Sequence, residues 1–245
     1  MVLLVIVIVL LLYLRAETFI MDKLLSNIKI QVNNKVYLKD PDSSELGKKI
    51  IKGSIDLIDD IGFELFTFKK LATKIKSTEA SVYRYFESKH ALLVYITLWY
   101  WGWMEYRLVF GLTNIECPED RLKKAIKILT ENVEQDSDFS HVNEIKLTRI
   151  VISESSKIYF NKNVDQENSE GFFLAYKNLV QRVSDIILEI DSKYKYPHML
   201  VSTIIEGAHH QRYFAEHLPR LTDVVKGEDA VTTFYQNMAI NQLKK

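Results

Sequence analysis

FTFKKLATKIKSTEASVYRYFESK, residues 66–89, is the stretch that decides the fold of this chain. Within it, one apolar stripe at helical spacing runs from Leu71 to Ile75, and a second joins Val82 to Phe86 at i, i+4. Each stripe is one face of a helix, because residues three and four positions apart lie on the same side of a helix. The stretch therefore predicts two short helices.

Threonines mark the starts of both helices. Thr67 and Thr78 each stand just before a stripe, where a hydroxyl can accept a hydrogen bond from a free backbone N–H group. Only Lys76 and Ser77 separate the first stripe from the second cap. The two helices must therefore cross steeply and share one small core, which describes a helix-turn-helix.

The second helix has an outer face suited to nucleic acid. On a helical wheel, Ala80, Ser81 and Arg84 lie opposite the apolar stripe, with Tyr83 and Tyr85 on the shoulders. Small side chains let a helix backbone enter the major groove, while arginine and hydroxyl groups contact base edges or phosphates. This mixture is typical of a recognition helix.

Positive charge is concentrated in the same segment. Residues 67–90 contain six Lys or Arg, Lys69 among them, against two Glu, which gives a local charge of +4, whereas the whole chain carries 32 charges of each sign. The alternative interpretation is a pair of ordinary amphipathic helices with a solvated, lysine-rich face. We favour DNA binding because caps, turn, core and outer face agree within one short window.

From Gly62 to Leu93 the chain resembles the TetR family of bacterial transcriptional regulators. The matching features are a Gly and an aromatic before the Thr67 cap, Leu71-Ala72, the Thr78 cap, Val82-Tyr83-Arg84-Tyr85-Phe86, and Ser88-Lys89 followed by Leu92. One departure lies in the turn, where the family usually has Gly then Val and this chain has Lys76 and Ser77. We expect either a non-glycine residue at positive φ there or a rearranged turn.

The resemblance implies roles for individual residues. In the family, positions matching Glu79, Ala80, Ser81 and Tyr85 approach base edges, and those matching Thr67, Tyr83 and Lys89 hold the phosphate backbone. With the cations of the outer face added, the predicted DNA contacts are Thr67, Lys69, Glu79, Ala80, Ser81, Tyr83, Arg84, Tyr85 and Lys89.

The composition favours long helices. The chain has 245 residues, of which 47% are hydrophobic and 26% charged, with only 8 Gly and 4 Pro. Its single cysteine, Cys117, cannot form an internal disulfide, which fits a reducing cytoplasm. We predict an all-α protein with a three-helix helix-turn-helix domain over residues 45–90 and a larger helical ligand-binding and dimerisation domain over residues 91–245.

The residues before these domains form a leader and an arm. Residues 1–20 contain an apolar run that is too short to span a membrane and lacks a preceding basic residue, so we interpret them as lying upstream of a true start at Met21. The alternative is a short membrane anchor with Arg15 and Lys23 on the cytoplasmic side. Residues 21–44 are interpreted as a flexible leader, the alternative being an arm that reaches the DNA backbone.

Helical patterns continue beyond the helix-turn-helix. The first long helix follows Ser44, and Gly62 is expected to end it in a left-handed cap. Ser88 caps a fourth helix that contains all 3 Trp. One face of that helix consists of Trp99, Trp103, Tyr106 and Phe110. It either lines an apolar ligand pocket or is core alone, and core is the better default.

Further helices are predicted over residues 145–158, 171–190, 197–218 and 228–243, with loops over residues 134–140 and 161–170. Arg149 could pair with an acidic ligand or with Glu206, and an internal salt bridge is our expectation. The last two helices have apolar faces without another partner in the chain. The resemblance implies that they pair with those of a second copy, so the homodimer meets successive major grooves about 34 Å apart on a near-palindromic operator.

Patterns for metal binding or catalysis are weak. His209 and His210 point about 100° apart on a helix, and His141 with Glu144 lacks a further ligand. We therefore expect surface or interface histidines, no metal, no cofactor and no enzyme activity. The predicted function is a cytoplasmic, ligand-responsive repressor that binds double-stranded operator DNA and an unknown small-molecule effector. The alternatives are a regulator-like scaffold that binds a protein partner and a small helical enzyme.

Overall fold

The computed structural model describes residues 29–135 and 141–243. The predictions for the leader, for a start at Met21 and for all but the first two residues of the loop over residues 134–140 lie outside the described residues. All regular secondary structure within the described ranges is helical. Over the same ranges, no helix is long and apolar enough to cross a membrane.

The first four helices are α1 (Glu45–Leu65), α2 (Phe68–Lys74), α3 (Glu79–Tyr83) and α4 (Lys89–Gly111), after short 3-10 turns at Asn34–Val36 and Pro41–Ser43. All four begin at a side-chain cap. The hydroxyl groups of Ser44, Thr67, Thr78 and Ser88 each accept a hydrogen bond from the backbone N–H group three residues ahead. The caps predicted at Thr67, Thr78 and Ser88 are confirmed, and Ser44 provides a fourth.

The helix-turn-helix encloses the core that its stripes predict. Leu71, Val82 and Phe86 are fully buried. Lys76, in the turn between α2 and α3, has a φ of 55°, which confirms the first of the two alternatives for that turn.

Gly62 also has a positive φ, 76°, but its ψ of 158° is extended rather than left-handed helical. Only glycine adopts this combination readily. Gly62 therefore interrupts α1 where the sequence predicts its end, although not in a left-handed cap, and a short helical turn continues to Leu65.

The arm before α1 is docked, which corrects its interpretation as a flexible leader. Ile30 and Val36 are buried in the core. The Leu38 backbone N–H donates to the Tyr85 carbonyl at 2.8 Å, and the Asn33 amide donates to a carbonyl at residue 170 at 2.9 Å. The described part of the arm, from residue 29, thus joins the helix-turn-helix to the rest of the molecule.

The second half contains α5 (Pro118–Thr130), α6 (Glu144–Glu154), α7 (Ser156–Tyr159), α8 (Val164–Ser169), α9 (Leu174–Ile190), α10 (Pro197–His217), a 3-10 turn at Pro219–Leu221, and α11 (Ala230–Leu243). Three details differ from the prediction. The helix predicted over residues 145–158 is divided at Ser155, the segment predicted as a loop contains α8, and Gly171 lies in a turn before α9 with a φ of 83°.

The last helix has partners inside the chain, which corrects the expectation that it has none. α11 packs on α5 and α10. The Thr130 hydroxyl donates to that of Thr232 at 2.9 Å, and the Gln236 amide donates to the Lys123 carbonyl at 2.8 Å. The contact with α10 is close, since a Cβ atom on Gly207 would lie 2.2 Å from the Tyr235 hydroxyl oxygen. Because its buried face is used within one chain, α11 does not by itself require a second copy.

Candidate nucleic-acid interface

The outer side of α3 is open to solvent. Glu79, Ala80, Tyr83 and Arg84 are exposed, and Ser81 is half-buried. The hydroxyl groups of Ser81 and of the Thr78 cap lie 2.8 Å apart. Tyr83 is held by an edge-on contact with the ring of Phe68, with ring centroids 4.9 Å apart. α3 therefore presents a short polar surface whose aromatic shoulder is fixed in place.

Several Lys and Arg side chains lie in the same helix-turn-helix. Some of them are bound to groups of the protein, and others make no such contact. Lys69, Lys76 and Arg84 are exposed, and within the described residues their side chains make no hydrogen bond or ion pair. The Lys70 ammonium donates to a backbone carbonyl at 2.8 Å. Lys74 donates to Asp60 at 3.0 Å and thereby holds the pKa of that carboxyl below its ordinary value. Three cations are thus free to meet phosphates.

Tyr85 does not face outward, which corrects its predicted contact with a base edge. Its side chain is buried, and its hydroxyl lies 2.7 Å from that of Ser44. The ammonium of Lys39 covers its ring at 5.2 Å from the centroid. α3 ends at Tyr83, so Tyr85 lies beyond the helix and turns inward rather than onto the shoulder that a continued helix predicts. In this conformation it ties the recognition helix to the start of α1.

Lys89 is likewise engaged inside the protein, so its predicted phosphate contact is not open to its ammonium in this conformation. Its Nζ atom donates to the carbonyls of Phe63, Glu64 and Phe66 at 3.1 to 3.4 Å. The same atom lies 4.7 Å from the centroid of the Phe63 ring. The residue satisfies carbonyls at the end of α1, which otherwise have no intrahelical partner.

The proposed effector face on α4 is mostly core. Trp99 and Trp103 are buried and stacked with ring centroids 6.5 Å apart, whereas Phe110 is exposed next to Tyr106. None of these four residues lines any of five cavities of about 230 to 700 Å³ among the described residues. Trp101, on another face of the same helix, stacks on Tyr176 at the wall of a groove. Its position outside the aromatic stripe was the available signal that it faces a different environment.

Arg149 pairs with Asp59 rather than with Glu206. Its Nε and Nη2 atoms donate to the two oxygens of that carboxylate at 2.8 and 2.7 Å. The pair joins α6 to α1, and Lys146 with Asp56, at 2.6 Å, joins the same two helices. An internal salt bridge is confirmed with a different partner, and it links the helix-turn-helix to the second half of the molecule.

One histidine is buried where the sequence predicts a surface or interface position. His209 is buried, which corrects its assignment to a surface or interface, and burial lowers its pKa to about 4. His141 lies 3.2 Å from Asp42, beside the docked arm. Across residues 29–135 and 141–243, no cluster of three or more His, Cys, Asp or Glu side chains could hold a metal ion.

Residues 50–96, which contain α2, α3 and the start of α4, match the family model of bacterial regulatory proteins of the tetR family. The match identifies this part of the chain as a helix-turn-helix of the tetR type. The matched range includes both caps, the turn and the exposed outer side of α3 described above. The protein, hereafter the regulator, thus has a DNA-binding domain of the helix-turn-helix class, as its sequence predicts.

Solved structures of low sequence identity share the fold of the regulator. AibR in complex with isovaleryl coenzyme A and operator DNA has 14% identity and a TM-score of 0.52, with 78% of this chain and 96% of that chain covered. The ketosteroid regulator KstR2 of Mycobacterium tuberculosis has 13% identity and a TM-score of 0.52, covering 89% and 97%. The superantigen PfiT has 13% identity and a TM-score of 0.55, covering 83% and 97%. No curated protein sequence matches the chain.

Proposed function

We propose that the regulator is a ligand-responsive repressor that binds a near-palindromic operator as a homodimer. The observation that carries the proposal is the exposed outer side of α3 with three free cations around it. The residues that we propose to contact DNA are Thr67, Lys69, Glu79, Ala80, Ser81, Tyr83 and Arg84. Tyr85 and Lys89 instead hold the helix-turn-helix together, because their polar atoms are engaged within it.

We propose that the two parts of the chain have different roles. Residues 45–90 read DNA, and residues from 91 onward bind the effector and the second copy. Exposed apolar side chains on the last two helices and on the segment between them would be covered in such a dimer. These side chains are Met199, Leu218, Leu221, Val224 and Phe234. A repressor of this kind acts in the cytoplasm, where its operator lies.

The proposed mechanism uses the ion pairs between α1 and α6. An effector that binds better to a splayed dimer shifts the population away from the DNA-bound spacing, by no more than the ratio of its affinities for the two states. Arg149 and Lys146 join α6 to Asp59 and Asp56 of α1, so a displacement of α6 moves the helix-turn-helix with it.

Selection of bound fragments from random DNA tests the proposal, followed by titration of the selected site at several salt concentrations. We expect a symmetric site, and a logarithmic salt slope that becomes shallower by about one for Arg84→Ala, because each phosphate contact releases counterions. Lys193→Ala, an exposed cation far along the chain on the loop before α10, is the matched control and should leave the slope unchanged.

Tyr85→Phe separates the two roles considered for that residue. It removes only the hydroxyl that meets Ser44, so DNA affinity at a temperature where the protein is fully folded should stay within about twofold of the parent. Recovery of no symmetric site, or a salt slope near zero, would contradict the repressor proposal and favour a scaffold that binds protein.

A further inference from the structure

A groove of about 700 Å³ lies between α6, α7, α9 and α10. It is open to solvent, and its lining includes five Phe or Tyr side chains. Those side chains are Tyr159, Phe160, Tyr176, Tyr213 and Phe214. The volume is in the range of sites that hold small molecules.

Hydrogen bonds and stacking fix one wall of this aromatic groove. Tyr176 stacks face to face on Trp101, with ring centroids 3.9 Å apart and an angle of 11° between the planes. The Trp101 Nε1–H group donates to the Tyr159 hydroxyl at 2.5 Å, and the rings of Tyr159 and Tyr176 lie 5.8 Å apart. The π-faces along this wall are therefore held in a preformed arrangement.

The aromatic groove carries an uncompensated negative charge. Glu206, half-buried on α10, accepts a hydrogen bond from the Tyr176 hydroxyl at 2.9 Å. Within the described residues Glu206 makes no ion pair, and no Lys or Arg lines the groove. Burial first, and then the Glu206 carboxylate, raise the pKa of the Tyr176 hydroxyl, so this group stays protonated and keeps donating.

Neighbouring basic groups do not neutralise Glu206. His209 also lines the aromatic groove, but burial lowers its pKa to about 4, so it is neutral at pH 7. Arg212, on the same helix as Glu206, donates to the Thr130 carbonyl at 2.6 Å and to Asp229. Arg149 is occupied by Asp59. His210 is the other basic group of the lining; it is exposed at the surface, and within the described residues it makes no hydrogen bond or ion pair with Glu206.

We propose that the aromatic groove binds an organic cation, an amine or ammonium compound with an apolar or aromatic body. Aromatic faces attract a cation through the ring quadrupole, and a carboxylate beside them supplies the opposite charge. An anionic ligand would meet Glu206 without a compensating cation. This inference rests on the proposal that the regulator responds to an effector, and it names the chemical class of that effector.

The position of the aromatic groove links it to the helix-turn-helix. Ile152 and Ser153 of α6 line it. Arg149, one turn earlier on α6, makes the bidentate pair with Asp59 of α1. A cation bound in the groove therefore contacts the helix that joins the two halves of the molecule.

Three probes of one carbon skeleton test the inference: 4-phenylbutylamine, 4-phenylbutanol and 4-phenylbutanoate, titrated into the regulator without DNA. Binding is followed calorimetrically and by tryptophan fluorescence, since Trp101 stacks on a wall residue. We expect the amine to bind at least about tenfold more tightly than the alcohol, and the anion most weakly, because a hydrogen-bonded charge contributes this much to affinity.

Glu206→Gln keeps the shape of the side chain and removes its charge. We expect it to weaken amine binding by about tenfold or more while leaving alcohol binding unchanged. Glu119→Gln, an exposed carboxylate on α5, is the matched control and should change neither. Equal thermal stability of the two variants confirms that both are folded.

Equal binding of amine and alcohol, tightest binding of the anion, or an unchanged amine affinity in Glu206→Gln would overturn the inference. These titrations contain no DNA, so they test the groove separately from the operator. Failure to select any DNA site would overturn the proposed function. The ligand class of the groove would still be decided by the titrations with the three probes.

Discussion

Lys76 occupies a backbone conformation that costs free energy for any residue with a Cβ atom. Its φ of 55° lies in the left-handed region, where the Cβ atom approaches the carbonyl oxygen. The Ser77 N–H group donates to the Ala72 carbonyl at 2.9 Å, so the turn after α2 is hydrogen-bonded despite this conformation. The turn between α2 and α3 therefore forms with backbone strain at Lys76.

Lys76→Gly should stabilise the protein. We expect the free energy of unfolding to rise by about 1 kcal/mol, because glycine relieves the strain and loses part of that gain to a more flexible unfolded chain. Urea unfolding followed by circular dichroism measures the change. Lys76→Ala removes the same charge and keeps the Cβ atom, so equal stabilities of the two variants would refute the explanation.

At the scale of elements, α10 and α11 can approach closely because residue 207 of α10 is a glycine and has no side chain. A Cβ atom at Gly207 would lie 2.2 Å from the Tyr235 hydroxyl oxygen and 3.0 Å from its Cζ atom. Tyr235 is buried, so its ring has little room to move. This close approach allows α11 to pack against α10 of the same chain.

Gly207→Ala should therefore force the two helices apart. We expect a loss of about 1 to 3 kcal/mol in the free energy of unfolding, as for other overpacked contacts. Tyr235→Phe removes the nearest atom, so the same glycine substitution should cost less in that background. A double-mutant cycle by urea unfolding measures this coupling, and identical costs in both backgrounds would argue against the contact as the cause.

Two kinds of contact join the halves of the whole molecule. Ion pairs between α1 and α6 lie on one side, and the docked arm, which contacts Tyr85 and the turn before α9, spans a second route. A rearrangement around the aromatic groove is thus transmitted through packed elements rather than through a free linker. The helix-turn-helix and the second half share one continuous core.

The stability of the whole molecule should depend on His209 as pH falls. Its pKa of about 4 in the folded protein lies below the ordinary value of 6.5, so between these values the unfolded chain binds a proton that the folded chain does not. Acid therefore favours unfolding over this range, by up to about 3 kcal/mol.

Urea unfolding at pH 7 and pH 5 measures this dependence. His209→Gln should flatten the slope between the two values, because the variant has no imidazole to protonate. His217→Gln, which removes an exposed histidine at the end of the same helix, should keep the slope of the parent. A parent protein equally stable at both pH values would contradict the assignment.

The sequence by itself determined the features that depend on near neighbours along the chain. The caps at Thr67 and Thr78 and the inward stripe of Val82 and Phe86 follow from residues within a few positions of one another, whereas the structure was needed to choose the positive φ at Lys76 over a rearranged turn. The outer side of α3 follows from the same periodicity, because the buried stripe fixes which face remains. The helical class and the resemblance of residues 50–96 to the tetR family also follow from such local patterns.

Only the tertiary structure decided which distant groups meet. Arg149 finds Asp59 across 90 positions of sequence, and Trp101 finds Tyr159 across 58. The same holds for Tyr85, whose hydroxyl reaches Ser44 and not a surface. Helical periodicity states which face a residue occupies and not which element covers that face, so the aromatic groove and the buried His209 could be found only once the helices were packed.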